Sequence, residues 1–262
     1  MLTEGVPAHL KYPLDEWLKT EFGWHNSGGG GMNNEFMRTL AMVTKIPVNH
    51  TYEIGGISDQ ILGSLARDED LYLDALDATL HLRRARARAD TLRELLRLGS
   101  SAWTVNAAGS GLQRRVDETA AAAFETAVAP PDPVSAELAE AWAAAFGRTS
   151  NPSDAWDHAI KAVEELLIPI VLPAIAKPNL GGVAGELQSS SHKWKLVPTT
   201  SSTSLDDGRT IAAMLRMIWP NPDRHGGGVD RRPPVQEEAE SVVHLAVAIV
   251  QMCRDGGLTK IP

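Results

Sequence analysis

Apolar and polar positions divide the chain into helical stretches separated by a few strong breaks. Leu10, Leu14, Trp17 and Leu18 recur at helical spacing and predict a short amphipathic helix over residues 10–22. Asn26, Ser27 and the glycines at 28–31 end it; no Gly-Lys-Ser/Thr follows and no strand is expected before, so this run reads as a flexible connector, not a phosphate loop. A further short helix is expected over 34–44, stopping before Pro47. Residues 58–98 read as mostly helical. Their first part is acidic (Asp68, Glu69, Asp70, Asp74, Asp77) and their second is basic (Arg83, Arg84, Arg86, Arg88, Arg93, Arg97). Such a run could track a phosphate backbone, but without interleaved aromatics it reads as a solvated face answering the acidic stretch. From residue 99 the period changes. Residues 101–105 and 112–116 flank a Gly- and Ala-rich turn, which predicts a β-hairpin over 101–116.

After a helix over 120–128, Pro130-Pro131-Asp132-Pro133 is the clearest linker and sets the expected domain boundary. Residues 1–130 then form an α-rich region carrying the hairpin, with no function legible in it, and residues 134–256 an α-helical bundle. The bundle's expected helices cover 134–146, 153–168, 177–187, 210–219 and 235–253. Ser153 is the expected N-cap of the second, with Asp154 in its first turn. Trp156, Ala159, Ile160, Val163, Leu166 and Leu167 form its apolar stripe, and His158 sits opposite beside Asp157. Residues 189–204 read as a polar loop anchored by Trp194. The segment 235–253 is apolar on nearly all sides and should be central, with Val242, Leu245, Ala246, Ile249 and Val250 buried. The fold class is mainly α.

Composition narrows the function classes. The chain has 262 residues, 33 acidic and 25 basic, with a net charge of -8. That argues against nonspecific coating of nucleic acid but leaves room for a local basic groove. Cys253 is the only cysteine, so neither a disulfide framework nor a cysteine zinc site is expected, and a cytoplasmic setting fits. No signal peptide or bilayer-spanning run is read at the N-terminus or elsewhere, so no membrane partner is expected. No His-Glu-x-x-His, Gly-x-Ser-x-Gly or cofactor motif occurs, so neither a metal nor a cofactor is expected. His244 reads as a hydrogen-bonded core residue and His192 as part of the polar loop.

The chemistry gathers at the joint between the last two helices, where Trp219-Pro220-Asn221-Pro222-Asp223-Arg224-His225 is followed by three glycines. On the preceding helix Ile211, Met214, Leu215, Ile218 and Trp219 share a face, and Arg209, Ala212, Ala213 and Arg216 lie round from its centre. Arg216 therefore points to solvent or to a partner. It stands in the last turn, from which the loop can fold His225 back towards it. An imidazole can take the proton from a ribose 2′-hydroxyl while a guanidinium holds the scissile phosphate, which cleaves RNA without a metal. From spacing alone, ordinary surface hydrogen bonding by the loop histidine and the two arginines is the favoured reading.

Residues 153–253 resemble the C-terminal module of bacterial abortive-infection proteins, a helical domain similar to the HEPN family. The residues that carry the resemblance are Asp154-Ala155-Trp156-Asp157-His158-Ala159-Ile160-Lys161-Ala162-Val163-Glu164, Leu180-Gly181, Leu215-Arg216, His225-Gly226 and the helix from Glu238-Ala239 to Val250. The hairpin ending Leu112-Gln113-Arg114-Arg115-Val116 resembles segments upstream of such modules. The resemblance implies a phage-defence effector and a metal-independent ribonuclease. Arg216 and His225 would be its catalytic pair, with Asn221, Asp223 and Arg224 in support and Arg209 binding RNA. It also implies a homodimer through the C-terminal domain. HEPN ribonucleases space Arg and His by four to six residues; here eight residues intervene and Met217 follows the arginine. The alternative is a non-catalytic sensor or interaction module that holds a partner or a phage-encoded trigger.

Overall fold

A computed structural model describes residues 2–26, 29–49, 54–83, 88–197, 206–223 and 232–261. Among them are eleven α-helices and three two-stranded antiparallel sheets, so the mainly α class is observed. They form two compact units, residues 1–115 and 116–262.

The first unit contains α1 (Ala8–Phe22), β1 (Gly23–Asn26), β2 (Gly29–Met32), α2 (Asn34–Val43), α3 (Ile54–Leu65), α4 (Glu69–Arg83), α5 (Ala89–Leu98), β3 (Trp103–Val105) and β4 (Leu112–Arg114). Its core is built by Leu14, Leu18, Phe22, Leu40, Ile61 and Leu76, which are fully buried. Tyr72 is buried among them and donates to Asp15 Oδ1 at 2.6 Å. Burial first, and then that bond, raise its pKa.

The glycine run is a correction. Residues 29–32 pair with 23–26 as an antiparallel hairpin, where a flexible connector was expected. Its base is held from outside: Asn33 N donates to Phe22 O at 2.6 Å, and Arg83 Nη2 donates to the carbonyls of Glu21 and Gly23. Glycine's entropic cost in a strand is thereby offset by fixing the strand ends. The expected hairpin at 101–116 is present with Trp103 opposite Arg114 and Val105 opposite Leu112. Gly109 takes a positive φ of 69° in its turn, and Asp77 Oδ1 accepts from Leu112 N at 2.6 Å.

The second unit contains α6 (Glu118–Val128), α7 (Pro133–Phe146), α8 (Pro152–Val171), α9 (Leu180–Ser189), β5 (Trp194–Leu196), α10 (Asp207–Ile218), α11 (Gln236–Cys253) and β6 (Leu258–Lys260). The division between units falls at Arg115 and Val116, not at the Pro130–Pro133 linker. The reason is that α6 belongs to the second core: it packs on α7 and α11, and Gln251 Nε2 donates to Ala123 O at 2.8 Å. The prolines form a turn inside the unit. Asp132 Oδ1 caps α7 through Ser135 N at 2.8 Å, and Asp132 Oδ2 accepts from Arg254 Nη1 at 2.9 Å. Burial opposes ionisation of Asp132, but the Ser135 bonds and Arg254 outweigh it and lower its pKa.

Helix α11 is central, as its sequence requires: it packs against α6, α7, α8 and α10. Val242, Ala246, Ile249 and Val250 are buried, and Leu245 is partly buried against the same core. Cys253 ends it in apolar surroundings that push its thiol up to about 12. Trp142 of α7 stacks on Phe124 at 4.2 Å and meets the His244 ring edge-on at 5.6 Å. His244 is thus held by aromatic faces, where a hydrogen-bonded position was expected, and burial lowers its pKa against the opposing charge of Glu240. Residues 194–196 are also a correction. They form a strand paired with 258–260, not part of a polar loop, because Trp194 and Leu196 alternate into the core around Lys195. No helix among the described residues is long and apolar enough to cross a membrane.

Candidate functional site

The site is the end of α10 and the chain that leaves it. Asp206 caps α10, accepting from Gly208 N at 3.1 Å and Arg209 N at 3.4 Å. The Ser191 hydroxyl, ahead of these backbone donors, holds its carboxyl below the usual range. Ile211, Ala212, Leu215 and Ile218 are buried, whereas Arg209, Thr210, Ala213, Arg216 and Met217 are exposed. Ala212 therefore belongs to the core, against its expected position beside Arg216; the small residue on the exposed stripe is Ala213 alone. Its neighbours at i−4 and i+3 are Arg209 and Arg216, which fall on nearly the same azimuth of a 3.6-residue helix. Among the described residues neither arginine forms an ion pair.

At the last turn, Trp156 Nε1 of α8 donates to Ile218 O at 2.5 Å, satisfying a carbonyl that the helix leaves open. The Trp219–Pro220 peptide is cis. Trp219 rests over α9 so closely that a Cβ on Gly181 would meet its Nε1 at 2.7 Å, which is why a glycine stands there. The chain then turns back onto the start of α8. Asn221 is fully buried, donating through Nδ2 to Ser153 O at 3.3 Å and accepting from Asp223 N at 3.2 Å. Ser153 Oγ in turn donates to Asp223 Oδ2 at 2.7 Å. Ser153 is thus the loop's anchor and not the N-cap; Asn151 is the cap, its Oδ1 accepting from Asp154 N at 3.3 Å. Asp223 Oδ1 is buried with no hydrogen-bond partner among the described residues.

Asn221 and Asp223 are therefore brought together, but at the base of the loop, where they hold it to α8. Arg224, His225 and the glycines after them lie outside the described residues. The chain is next described at Arg232, whose guanidinium pairs with Glu238. Glu238 Oε2 also accepts Val235 N at 3.1 Å, so it closes the start of α11 from its N3 position. The Arg232 bonds, ahead of that backbone bond, hold its carboxyl down to about 2.

The other histidines are elsewhere. His158 Nδ1 lies 2.6 Å from Glu137 Oε2 of α7, while Asp157 pairs with Lys161 at 3.6 Å, so the expected His158–Asp157 pair is not formed. A groove beside them is lined by Glu140, Asn151, Asp154 and His158 and carries no lysine or arginine. His192 is exposed in a 3-10 turn before β5. Among the described residues no group of three or more His, Cys, Asp or Glu side chains is arranged to hold a metal ion.

Sequence reading missed Ser153, Trp156 and Gly181 as the parts that set the loop's exit. A glycine in a helix start and a serine one residue past a proline carry no such signal on their own. It also missed the lysines of β5 and β6, although Trp194-Lys195-Leu196 alternates with period two. No family model, no curated protein and no solved structure matches this chain.

Proposed function

We propose that the second unit is an abortive-infection, HEPN-like effector of phage defence that cleaves RNA without a metal. Arg216 holds the scissile phosphate and His225 takes the 2′-hydroxyl proton. The observation that supports this reading most is the unpaired, exposed Arg216 in the last turn of α10, next to a loop whose base is clamped to α8. A guanidinium spent on no described carboxylate keeps its bidentate fork for a phosphate. Asn221 and Asp223, which the resemblance cast in support of catalysis, act through that clamp as positioning residues. Arg224 adds a second cation beside His225. Two copies pair through the exposed stripe of Arg209, Ala213, Arg216 and Met217, which would set two loops against each other.

The test is purified chain with total RNA, with and without chelator. Wild type should cleave in both. Arg216→Ala and His225→Ala should each lose about two to four orders of magnitude in rate with the fold intact, and Arg216→Lys should recover little. Wild-type rates in His225→Ala would refute the mechanism.

A second reading, a non-catalytic module that holds a protein partner or phage trigger, is favoured by Met217. It is 68% exposed directly beside Arg216, an apolar contact that phosphate chemistry does not use. Phage protection in cells without RNA cleavage by any variant would decide for it.

A further inference from the structure

The second unit carries basic residues that the proposed chemistry does not use, on the outer face of its small sheet. Trp194 and Leu196 of β5 and Leu258 of β6 turn into the core, so Lys195 and its partner Thr259 turn out. The pairing runs on at both ends, with Ile261 N donating to Lys193 O at 2.7 Å and Val197 N to Gly257 O at 2.9 Å. Lys193, Val197 and Ile261 flank the Lys195–Thr259 pair and are exposed, Val197 and Ile261 as apolar side chains, and no carboxylate occurs among these five. Lys260 is exposed at the sheet end, and His192 is exposed one residue before Lys193. Among the described residues Lys193, Lys195 and Lys260 form no ion pair. Lys193 ends the 3-10 turn that leads into β5, two residues before Lys195. In a chain of net charge -8, two unpaired lysines at this face, with Lys260 exposed at the sheet end opposite the inward-turned Trp194, are a local reversal of sign.

This sheet is joined to the helix that carries the arginine stripe. Leu196 N donates to Asp207 Oδ2 at 2.9 Å, which ties β5 to the first turn of α10, and Arg209 follows two residues later. Asp207 accepts from Leu196 N, and Asp206 accepts from its cap amides and the Ser191 hydroxyl and also feels the charge of Arg209, without an ion pair to it. Asp255, in the turn entering β6, is the exposed acid nearest the sheet in sequence. From Arg209 the exposed stripe continues to Arg216, about 10 Å along the axis. Ala213 lies between them and admits a backbone closely.

We infer that the outer face of β5 and β6 is a docking surface for the phosphate backbone of single-stranded RNA, led past Arg209 to Arg216. The inference rests on the ribonuclease reading and gives that reading its substrate path. Lysines act here as point charges on phosphates, and no aromatic ring of the second unit is among its exposed large apolar side chains. Bases are therefore not stacked, and binding is independent of sequence.

The experiment measures binding of fluorescent oligo(U) and oligo(A) by anisotropy across a salt series, in chelator. It uses His225→Ala as the background and adds Lys193→Gln, Lys195→Gln and Lys260→Gln together. The background should bind both oligonucleotides equally. The triple variant should bind roughly ten- to a hundredfold more weakly at 0.1 M salt, with the salt slope reduced by about 2, or about 0.7 per lost contact. Arg97→Gln and Lys161→Gln, cations that already have carboxylate partners, should change neither quantity. Unchanged affinity and slope in the triple variant overturn the docking surface while leaving the nuclease reading to its own assay. No RNA binding by the background overturns both. Lysine-dependent capture of anionic phospholipid vesicles, without RNA binding, overturns it in favour of a membrane surface. A lysine-dependent loss of RNA binding, with no cleavage by the wild type, upholds the docking surface and removes the nuclease.

Discussion

Arginines of the first unit and the arginines of α10 are used in opposite ways. In the first unit Arg83 donates to the carbonyls of Glu21 and Gly23, with its guanidinium 4.2 Å over the Phe36 ring. Arg93 donates to Val105 O, Asn106 O and Asp90, Arg97 forms a fork on Glu94 at 2.7 Å, and Arg114 pairs with Glu4 at 2.9 Å. Those cations tie elements together. In the second unit Arg209, Arg216, Lys193, Lys195 and Lys260 are exposed and have no described carboxylate within ion-pair distance. Density of positive charge in a sequence therefore says little about polyanion binding. What matters is whether the fold has already used each cation, because a guanidinium held by carbonyls gives up that pairing before it can meet a phosphate.

The largest effect expected from this contrast is kinetic. Arg216→Ala should lower RNA cleavage by about two to four orders of magnitude, while Arg97→Ala in the same assay should leave the rate at the wild-type level. Equal losses in both would erase the distinction. Next is Arg83→Met, which strips two part-buried carbonyls of a charged donor. It should destabilise the first unit by roughly 2–4 kcal/mol, read as a lowered denaturant midpoint; a midpoint within error of wild type would mean that this half-buried arginine ties nothing. Smaller still is Asn221→Ala, which unpins the loop base from Ser153. About 1–2 kcal/mol should be lost from the second unit, and cleavage should fall while Arg216 itself is intact. Full activity with lowered stability would show that the clamp does not position the chemistry.

The smallest effect is a pH dependence at the one paired arginine beside the loop. Glu238, ordinarily near 4.5, is held down to about 2 by Arg232. A depressed carboxylate stabilises the fold above its unfolded pKa and ceases to do so as pH falls through its folded value. The difference in thermal midpoint between wild type and Glu238→Gln should be constant above pH 5 and should vanish towards pH 2. A difference that grew on acidification would reverse the assignment.

Much of the helical fold was legible because the apolar spacing of α8 and α11 admits no other period. The 101–116 hairpin was legible because two alternating segments flank a glycine turn. The two other sheets were not. One strand is mostly glycine and owes its pairing to Arg83 and Asn33, and the other depends on residues 258–260, more than sixty positions away from its partner. The unit boundary was misread for a related reason: Pro130–Pro133 looks the same in a linker as in a turn, and only the packing of Ala123 and Ala127 assigns α6 to the second core. In the site, the exposed position of Arg216 followed from helical geometry. The roles of Asn221 and Asp223 did not, because their partner Ser153 is 68 and 70 residues away.

The central place of α11 also dictates the order in which the second unit can fold. Its bonds reach Ala145 across 91 residues, Ala123 across 128 and, from Arg254 just past its end, Asp132 across 122. Helices α6 to α8 can form early, since their contacts are local, but the apolar face they present is closed only when α11 docks. Until then the chain has secondary structure without a sealed interior, a state that exposes hydrophobic surface and favours aggregation. Capture of this one late helix by three early ones is therefore the step expected to limit the rate. Substitutions at Val243, Ala246 or Val250 should register first in how fast this unit is made, before they register in how stable it is once made.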